Sequence, residues 1–192
     1  DSGSYVEESS GKTINLNFGQ NISAVTNYES GETLSLQITP YTHLAQCYAR
    51  YLIDNGNAVQ DALNLANSKI AAIAGVEIIE TKPLDVTNVN NANVQLTPGL
   101  KYGFLTAAIS SLMVDVADHN GLPAHSQPFL TSINWSKVAC NDIRADGLLD
   151  GYGFIDATTK SVLSFGTYPI TPDTYRTLLA QRILSFSLTD KN

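Results

Sequence analysis

The chain has 192 residues, which is enough for one sizeable domain with a hydrophobic core of its own. Hydrophobic residues make up 43% of it and charged residues 15%, against roughly 25% charged in an average soluble domain, and this composition excludes general disorder. The net charge of −7 excludes nucleic acid as a main ligand, because non-specific binding to a phosphate backbone depends on clustered Lys and Arg.

The polar surface is predicted to consist mainly of uncharged side chains. Asn, Thr, Ser and Gln are dense in residues 15–27 and 87–95, as is common in exported proteins. No run approaches the roughly 18 consecutive apolar residues of a membrane-spanning helix, so we expect no direct membrane insertion. The residues from Asp1 onward do not show the charged start and apolar segment of a signal peptide. We therefore expect any export signal to lie elsewhere in a longer protein.

The first 38 residues are predicted to be extended. Residues 13–18 alternate apolar and polar side chains with a period of two. Residues 22–28 and 33–38 are predicted to pair as a hairpin, with Gly31 supplying the positive φ of the short connection. These patterns indicate an N-terminal β segment over residues 1–38, followed by a helical domain over residues 39–192.

Three Thr-Pro pairs indicate helix starts, at residues 39–40, 97–98 and 171–172. The Thr hydroxyl can cap the helix, and Pro is tolerated at the first helical position because its missing N–H would be unpaired there. Each pair precedes an apolar stripe at helical spacing. The stripes comprise Leu44, Cys47, Tyr48, Tyr51 and Leu52; Leu105, Ala108, Ile109, Leu112, Met113 and Val116; and Tyr175, Leu178, Leu179, Arg182, Ile183 and Phe186.

Two further helices complete the prediction. One is Ala-rich, covers about residues 57–74 and ends at Gly75; the other begins at Ser126-Gln127-Pro128 and runs to about Ala145. Residues 76–95 and 147–170 are predicted to be loops, with a short strand at 161–165. No repeat with a period of about 20 to 50 residues is present, which argues against a solenoid. The predicted fold is mainly α: a bundle of about five helices with a small N-terminal β-hairpin or strand region.

Five short motifs are spread over most of the chain: GSYVEE at 3–8, ITPYTHLA at 38–45, PLDVT at 83–87, DGLLDG at 146–151 and TYRTLLA at 174–180. Through these motifs the chain resembles helical modules of large bacterial cell-surface proteins and lipoproteins that lie beside immunoglobulin-like domains. The resemblance implies an exported, multidomain protein with an adhesive or scaffolding role. It brings no catalytic residues with it.

Two cysteines, Cys47 and Cys140, allow a single disulfide. In the chain-entropy model a bridge that closes so long a loop stabilises a protein by about 4 to 5 kcal/mol. The alternative is a pair of buried thiols on helices. The absence of a third Cys argues against a zinc site built on thiolates.

Asp142, Asp146 and Asp150 are the candidate metal ligands. On a calcium-binding EF-hand loop they would take positions 1, 5 and 9, with Gly147 at the sharp turn. An Arg at position 3 and a Gly at position 12, where a bidentate Glu belongs, exclude a complete EF-hand. Two hypotheses remain: a calcium site formed by the three carboxylates with a backbone carbonyl, or two ordinary Asp-Gly turns, with Asp142 paired with Arg144 or in solvent.

A second cluster combines Asp115, Asp118 and His119. The spacing places Asp115 and His119 on one helix face, as in half of a metal site, and a zinc ion would need further ligands such as His125. The alternative is an ordinary helix end, in which the ring lies near the negative pole of the helix and Gly121 follows in the cap.

Motifs of catalysis are scarce. The chain contains no nucleophile elbow, dinucleotide-binding motif or Walker loop. His43 is a candidate base, and Glu7 with Glu8 or Glu77 with Glu80 are candidate acid–base pairs, although their neighbours favour a solvated face for both pairs. We therefore predict no catalytic residues and no cofactor other than calcium.

Tyr152, Phe154 and Tyr168 lie in the predicted loop region and form a candidate ligand platform, because exposed aromatic rings stack on sugars and anchor protein interfaces. We predict a non-catalytic structural or adhesive module of an exported bacterial surface protein, stabilised by calcium. Its expected location is extracellular or at the cell surface, with the periplasm as second choice. Expected partners are neighbouring domains of the same protein and a host or cell-surface protein or glycan. The alternatives are a carbohydrate-binding accessory domain and part of a secreted hydrolase that uses His119 or His43.

Overall fold

The computed structural model describes residues 3–9, 11–16, 21–88, 95–123, 131–156, 158–171, 173 and 177–189. Within them the fold is mainly α with small antiparallel strand pairs, which confirms the predicted fold class. The helices are α1 (Pro40–Asp54), α2 (Val59–Ala74), α3 (Pro98–His119), α4 (Ser132–Asp146) and α5 (Leu179–Thr189). The strands are β1 (Gly3–Val6), β2 (Thr13–Leu16), β3 (Tyr152–Phe154), β4 (Lys160–Val162), β5 (Ser164–Phe165) and β6 (Tyr168–Pro169).

The first two Thr-Pro pairs begin helices as predicted. The Thr39 hydroxyl accepts from the backbone N–H of Thr42 at 3.2 Å, and the Thr42 hydroxyl accepts from the backbone N–H of Thr39 at 2.8 Å, which completes a capping box. Thr97 caps α3 by accepting from the N–H of Leu100 at 3.2 Å. The Thr39 hydroxyl also bonds to the phenol of Tyr102, so the start of α1 is joined to α3.

The other helices agree with the prediction where the structure describes them. α2 ends before Gly75 as expected. α4 is described from Ser132 onward, and its predicted start at residues 126–128 lies outside the described residues. α5 is described from Leu179, while Pro172 and Tyr175 of the third predicted helix also lie outside them.

The predicted hairpin between residues 22–28 and 33–38 is wrong. The turn exists, since the N–H of Glu32 donates to the carbonyl of Glu29 at 3.1 Å, but no strand occurs in residues 21–38. The backbone of this segment bonds to other parts of the chain. The N–H of Gln37 donates to the carbonyl of Ile79 at 2.7 Å, and the Asn67 amide donates to a carbonyl of the segment at 3.1 Å.

A hairpin forms earlier in the chain instead. β1 and β2 pair in antiparallel fashion, with Gly3 opposite Leu16 and Val6 opposite Thr13. The alternating pattern therefore correctly indicates a strand over residues 13–16, while residues 17 and 18 lie outside the described part. The hairpin contacts the helices, because the hydroxyls of Tyr5 and Ser132 share a hydrogen bond of 3.3 Å.

The core lies between the helices, with α1 packed on α2 and α4, and α3 packed on α4 and α5. By length and composition α3 could cross a membrane, but 72% of its most apolar window is buried inside the bundle. This burial is the usual situation of a core helix. The largest side chains that are almost fully buried include Tyr102, Leu44, Ile70, Ile109, Leu112, Met113 and Val116.

The region after α4 closes one side of this core with two short hairpins. The predicted strand at 161–165 is present as β4 and β5, which pair with β3 and β6. Between them, the N–H of Leu163 donates to the carbonyl of Gly151 at 2.7 Å, and the N–H of Ile170 donates to the carbonyl of Leu163 at 2.8 Å. Because Leu163 and Ile170 are both buried, these bonds hold the region against the helices.

Candidate functional site

A disulfide joins Cys47 on α1 to Cys140 on α4, with the two Cα atoms 5.4 Å apart. Cys47 is buried within the core and Cys140 is partly buried against it. Of the two hypotheses from the sequence, the bridge is therefore the one present. The pairing follows from the packing of α1 on α4, which places the Cys47 side of the α1 stripe against α4.

His43 lies one helical turn before the bridge, with its Nε2 atom 3.8 Å from the Sγ atom of Cys47. The backbone N–H of Ser23 donates to Nδ1 at 3.2 Å, so this nitrogen is unprotonated and the neutral ring carries its proton on Nε2. Burial, followed by the nearby charge of Lys137, lowers the pKa of His43. His43 is therefore a neutral, core-edge packing residue in the folded state.

His43, Cys47 and Cys140 also bring their possible ligand atoms within 4.8 Å of one another, the one such group in the part of the chain that the structure describes. A metal binds cysteine as the thiolate. Because the two sulfur atoms are bonded to each other, the oxidised chain offers no thiolate at this point.

The three candidate calcium ligands are each bonded to a backbone N–H group. Asp142 is fully buried, so the alternative in which it lies in solvent is wrong, and its Oδ2 atom accepts from the N–H of Gly151 at 2.9 Å. The Oδ1 atoms of Asp146 and Asp150 accept from the residues two positions further along, in both cases at 2.9 Å. The bonds of Asp146 and Asp150 are the ordinary stabilisation of turns by Asp side chains, whereas the bond of Asp142 spans nine residues and joins α4 to the turn before β3.

The same geometry bears on the calcium hypothesis. α4 ends at Asp146 and is capped by Gly147, which has φ of +84° and donates its N–H to the carbonyl of Ile143 at 2.9 Å. Asp142, Asp146 and Asp150 are absent from the groups of ligand atoms that lie within 4.8 Å of one another among the described residues. The contacts favour the hypothesis of ordinary turns, and calcium binding stays a prediction.

The three aromatic residues of the candidate platform have different surroundings. Tyr152 and Phe154 are alternate residues of β3 and share one face of the strand, and Tyr152 is 46% exposed. The Lys160 ammonium lies over the Phe154 ring, 5.1 Å from its centre. Tyr168 belongs to the other hairpin and packs edge-on against His119, with ring centres 5.1 Å apart.

The cluster at the end of α3 is divided between separate contacts. Asp115 forms an ion pair with Arg182 of α5, while the exposed His119 ring contacts Tyr168. The amide of Asn120 donates to the carbonyl of residue 165 at 3.0 Å, which ties the helix end to β5. These contacts support the helix-end alternative, and His125 lies outside the described residues.

Glu7 was interpreted as part of a solvated face, and that interpretation is wrong. Its side chain is buried at 1% exposure, where the carboxylate accepts from the hydroxyls of Ser9, at 3.0 Å, and Ser110. The β1–β2 hairpin lies over α3 at this point, and the backbone N–H of Ser9 donates to the Ser110 hydroxyl at 3.1 Å. The only signal of this burial in the sequence was a Ser next to the apolar stripe of α3.

Glu8, the next residue, has a less favourable environment. Its Oε2 atom is buried and accepts no hydrogen bond among the described residues. Burial, and to a smaller extent the charge of Glu7, raise the pKa of Glu8 from 4.5 to about 7. The interpretation of Glu8 as part of a solvated face is therefore also wrong, because the cover over it comes from distant parts of the chain.

Replacement of Glu8 by Gln should stabilise the protein above neutral pH. The folded state favours the protonated carboxyl, so the stability that Glu8 provides is complete below pH 4.5 and is lost as the pH rises through about 7. We expect Glu8→Gln to raise the free energy of unfolding by up to about 3 kcal/mol at pH 8 and to leave it unchanged at pH 4.

Urea denaturation at the two pH values measures this difference. Glu80→Gln is the control, because Glu80 is exposed and its replacement should have the same small effect at both pH values. Equal stability of the wild type and Glu8→Gln at pH 8 would contradict the burial of this carboxylate.

An apolar cavity of about 460 Å³ lies where the five helices meet. α1 contributes Tyr41 and Leu44, α4 contributes Trp135 and Ile143, and the turn after α4 contributes further apolar side chains. The cavity reaches the surface beside Ile73 and Leu148, which are 54% and 57% exposed. Lys69 of α2 is the one charged residue that lines it in the described part of the chain. The remaining lining residues are Leu105, Gly147, Leu149, Leu179, Ala180 and Ile183.

Taken together, the described elements define a small helical domain that is held by one disulfide and contains an apolar cavity at its surface. The chain matches no protein-family model, no curated protein and no solved structure.

Proposed function

We propose that the chain is a structural domain of an exported, multidomain bacterial protein, in which it spaces or presents a binding surface outside the cell. The observation that carries this proposal is the Cys47–Cys140 disulfide within the core. Disulfides form and persist in oxidising compartments and are rare in the cytosol. The bridge therefore supports a location outside the cytoplasm, and the polar, weakly charged composition agrees with it.

The contacts of the candidate catalytic groups support a structural role. The Nδ1 atom of His43 is occupied by the N–H of Ser23, and the ring is buried. Asp115, the carboxylate that a catalytic His119 would need, is paired with Arg182. The general acid–base pair of a hydrolase requires a base that can reach a bound substrate. His43 is a packing residue, and the exposed His119 ring contacts Tyr168.

The stabilising contacts lie between elements that are distant in the chain. The disulfide joins α1 to α4, Tyr102 joins α3 to the start of α1, and Asp142 joins α4 to the turn before β3. A domain that separates or presents its neighbours must resist unfolding, and bonds of this kind provide that resistance. Calcium is not part of the proposal, because the ligand atoms of the three carboxylates do not all lie within 4.8 Å of one another among the described residues.

Two measurements test the proposal. Intact cells that produce the full-length protein are treated with a protease, and the purified domain is incubated with ester, glycoside and peptide substrates. We expect the protease to remove the domain from intact cells, and we expect no turnover above the rate in buffer. His119→Ala is the matched variant for the second measurement, since His119 is exposed and its replacement should not disturb folding.

Each of the two measurements has a result that would contradict the proposal. A domain that stays protected in intact cells and is cleaved only after lysis would contradict exposure outside the cell. Turnover of any substrate that is abolished by His119→Ala would contradict the structural role and favour the hydrolase alternative.

A further inference from the structure

The cavity between the five helices has the size and lining of a small-molecule site. Its volume of about 460 Å³ lies within the range of roughly 300 to 1,000 Å³ that is typical of ligand pockets. Tyr41 and Trp135, two buried aromatic residues with ring centres 6.3 Å apart, form part of its wall. An apolar wall of this kind favours an apolar ligand, because burial removes hydrocarbon surface from water.

The charge at the cavity has a definite sign. Lys69 is exposed on α2, one turn before Ile73 at the cavity mouth, and it forms no ion pair with any residue that the structure describes. Asp146, next to the lining residue Gly147, accepts from the N–H of Leu148 but does not line the cavity, so among the described residues Lys69 is the one charged side chain of the lining. An anionic group at the mouth would meet its opposite charge there while remaining in contact with water.

We propose that this cavity binds a free, single-chain amphiphile with an anionic head group, of the class of medium-chain alkyl carboxylates. The alkyl chain lies among the apolar side chains, beside the indole of Trp135, and the carboxylate lies at the mouth near Lys69. This site is independent of the structural role proposed above, since a spacer domain can bind a small ligand or none.

Trp135 allows a direct test because it is the only Trp in the chain and lines the cavity. The protein is titrated with 12-bromododecanoate, whose bromine quenches indole fluorescence on contact, below the concentration at which the probe forms micelles. We expect saturable quenching that unbrominated dodecanoate reverses by competition. Across decanoate, undecanoate and dodecanoate we expect the affinity to rise about threefold to fourfold with each added CH2.

Matched variants locate the binding. Ile73→Glu places a negative charge at the mouth and should weaken binding at least tenfold, whereas Val59→Glu should have no effect. Both residues are exposed, at 54% and 59%, and both lie on α2, but Val59 is outside the cavity. Lys69→Gln should weaken dodecanoate binding about twofold to fivefold and leave binding of neutral dodecanol unchanged. Lys82→Gln, an exposed Lys away from the cavity, is the charge control.

Several results would overturn the proposal. These are a lack of saturable quenching, equal loss of binding in Ile73→Glu and Val59→Glu, or binding of dodecylammonium as tight as that of dodecanoate. Quenching by brominated anionic phospholipid vesicles without binding of free dodecanoate would indicate that this surface binds a membrane. That result would also contradict binding of a free amphiphile in the cavity. None of these outcomes depends on whether the domain is exported or catalytic.

Discussion

Reduction of the Cys47–Cys140 disulfide should lower the free energy of unfolding by about 4 to 5 kcal/mol, the largest single change we expect. The bridged residues are 93 positions apart, so the disulfide lowers the conformational entropy of the unfolded chain by closing a very long loop. Single domains are stable by only about 5 to 15 kcal/mol, and the reduced protein should therefore lie close to its unfolding threshold. Urea denaturation with and without a phosphine reductant measures the difference.

The double variant Cys47→Ala with Cys140→Ala is the control for the reagent. It should unfold at the same urea concentration with and without reductant, and close to the reduced wild type. We also expect a steeper dependence on urea for the reduced protein, because its unfolded state exposes more surface. A reductant effect below about 1 kcal/mol on a protein shown to be fully reduced would contradict a stabilising role of the bridge.

Gly151→Ala should destabilise the protein by about 3 kcal/mol, since it combines backbone strain with a steric clash. Gly151 has φ of +80°, and a Cβ atom at this position would lie 2.1 Å from the carbonyl oxygen of Ile170. The backbone cannot easily move away. The N–H of Gly151 donates to Asp142, and its carbonyl accepts from Leu163. Thermal and urea unfolding of the purified variant measure the loss.

Gly121→Ala separates the two contributions to this loss. Gly121 also has a positive φ, +66°, but no atom of the described residues lies within 4 Å of the position that a Cβ would take. Its replacement should cost only the backbone strain, about 1 kcal/mol. Equal destabilisation by the two substitutions would contradict the close approach of residues 151 and 170.

The helices were predictable because their signals are local. The Thr39-Pro40 and Thr97-Pro98 pairs provide a capping hydroxyl and a fixed φ within a single turn, and the stripes after them repeat over short distances. The prediction of a hairpin over residues 22–38 was wrong because the pairing of strands is not a local property. The two facing segments indicated an extended backbone, but a sequence pattern does not specify the partner of a strand, and Gln37 bonds to Ile79 and not to a neighbouring strand.

The candidate site was less predictable than the fold because it depends on contacts between distant elements. The sequence allowed the Cys47–Cys140 bridge but could not distinguish it from two free thiols, since the choice depends on α1 packing against α4. The burial of Glu7 depends on the packing of its hairpin against α3, a helix about 100 residues further along the chain, where the Glu7 carboxylate meets Ser110. The cavity is formed by five helices together and corresponds to no motif.

The redox state of the two cysteines in the native protein tests the central claim of an exported, disulfide-bonded domain most directly. The full-length protein is recovered from its producing cells and unfolded in the presence of an alkylating reagent without reductant. It is then digested, and the masses of the peptides are measured by mass spectrometry. We expect the peptides of Cys47 and Cys140 to be linked and unalkylated, and each to carry one alkyl group only after reduction. Complete alkylation of both cysteines before any reductant is added would contradict the claim.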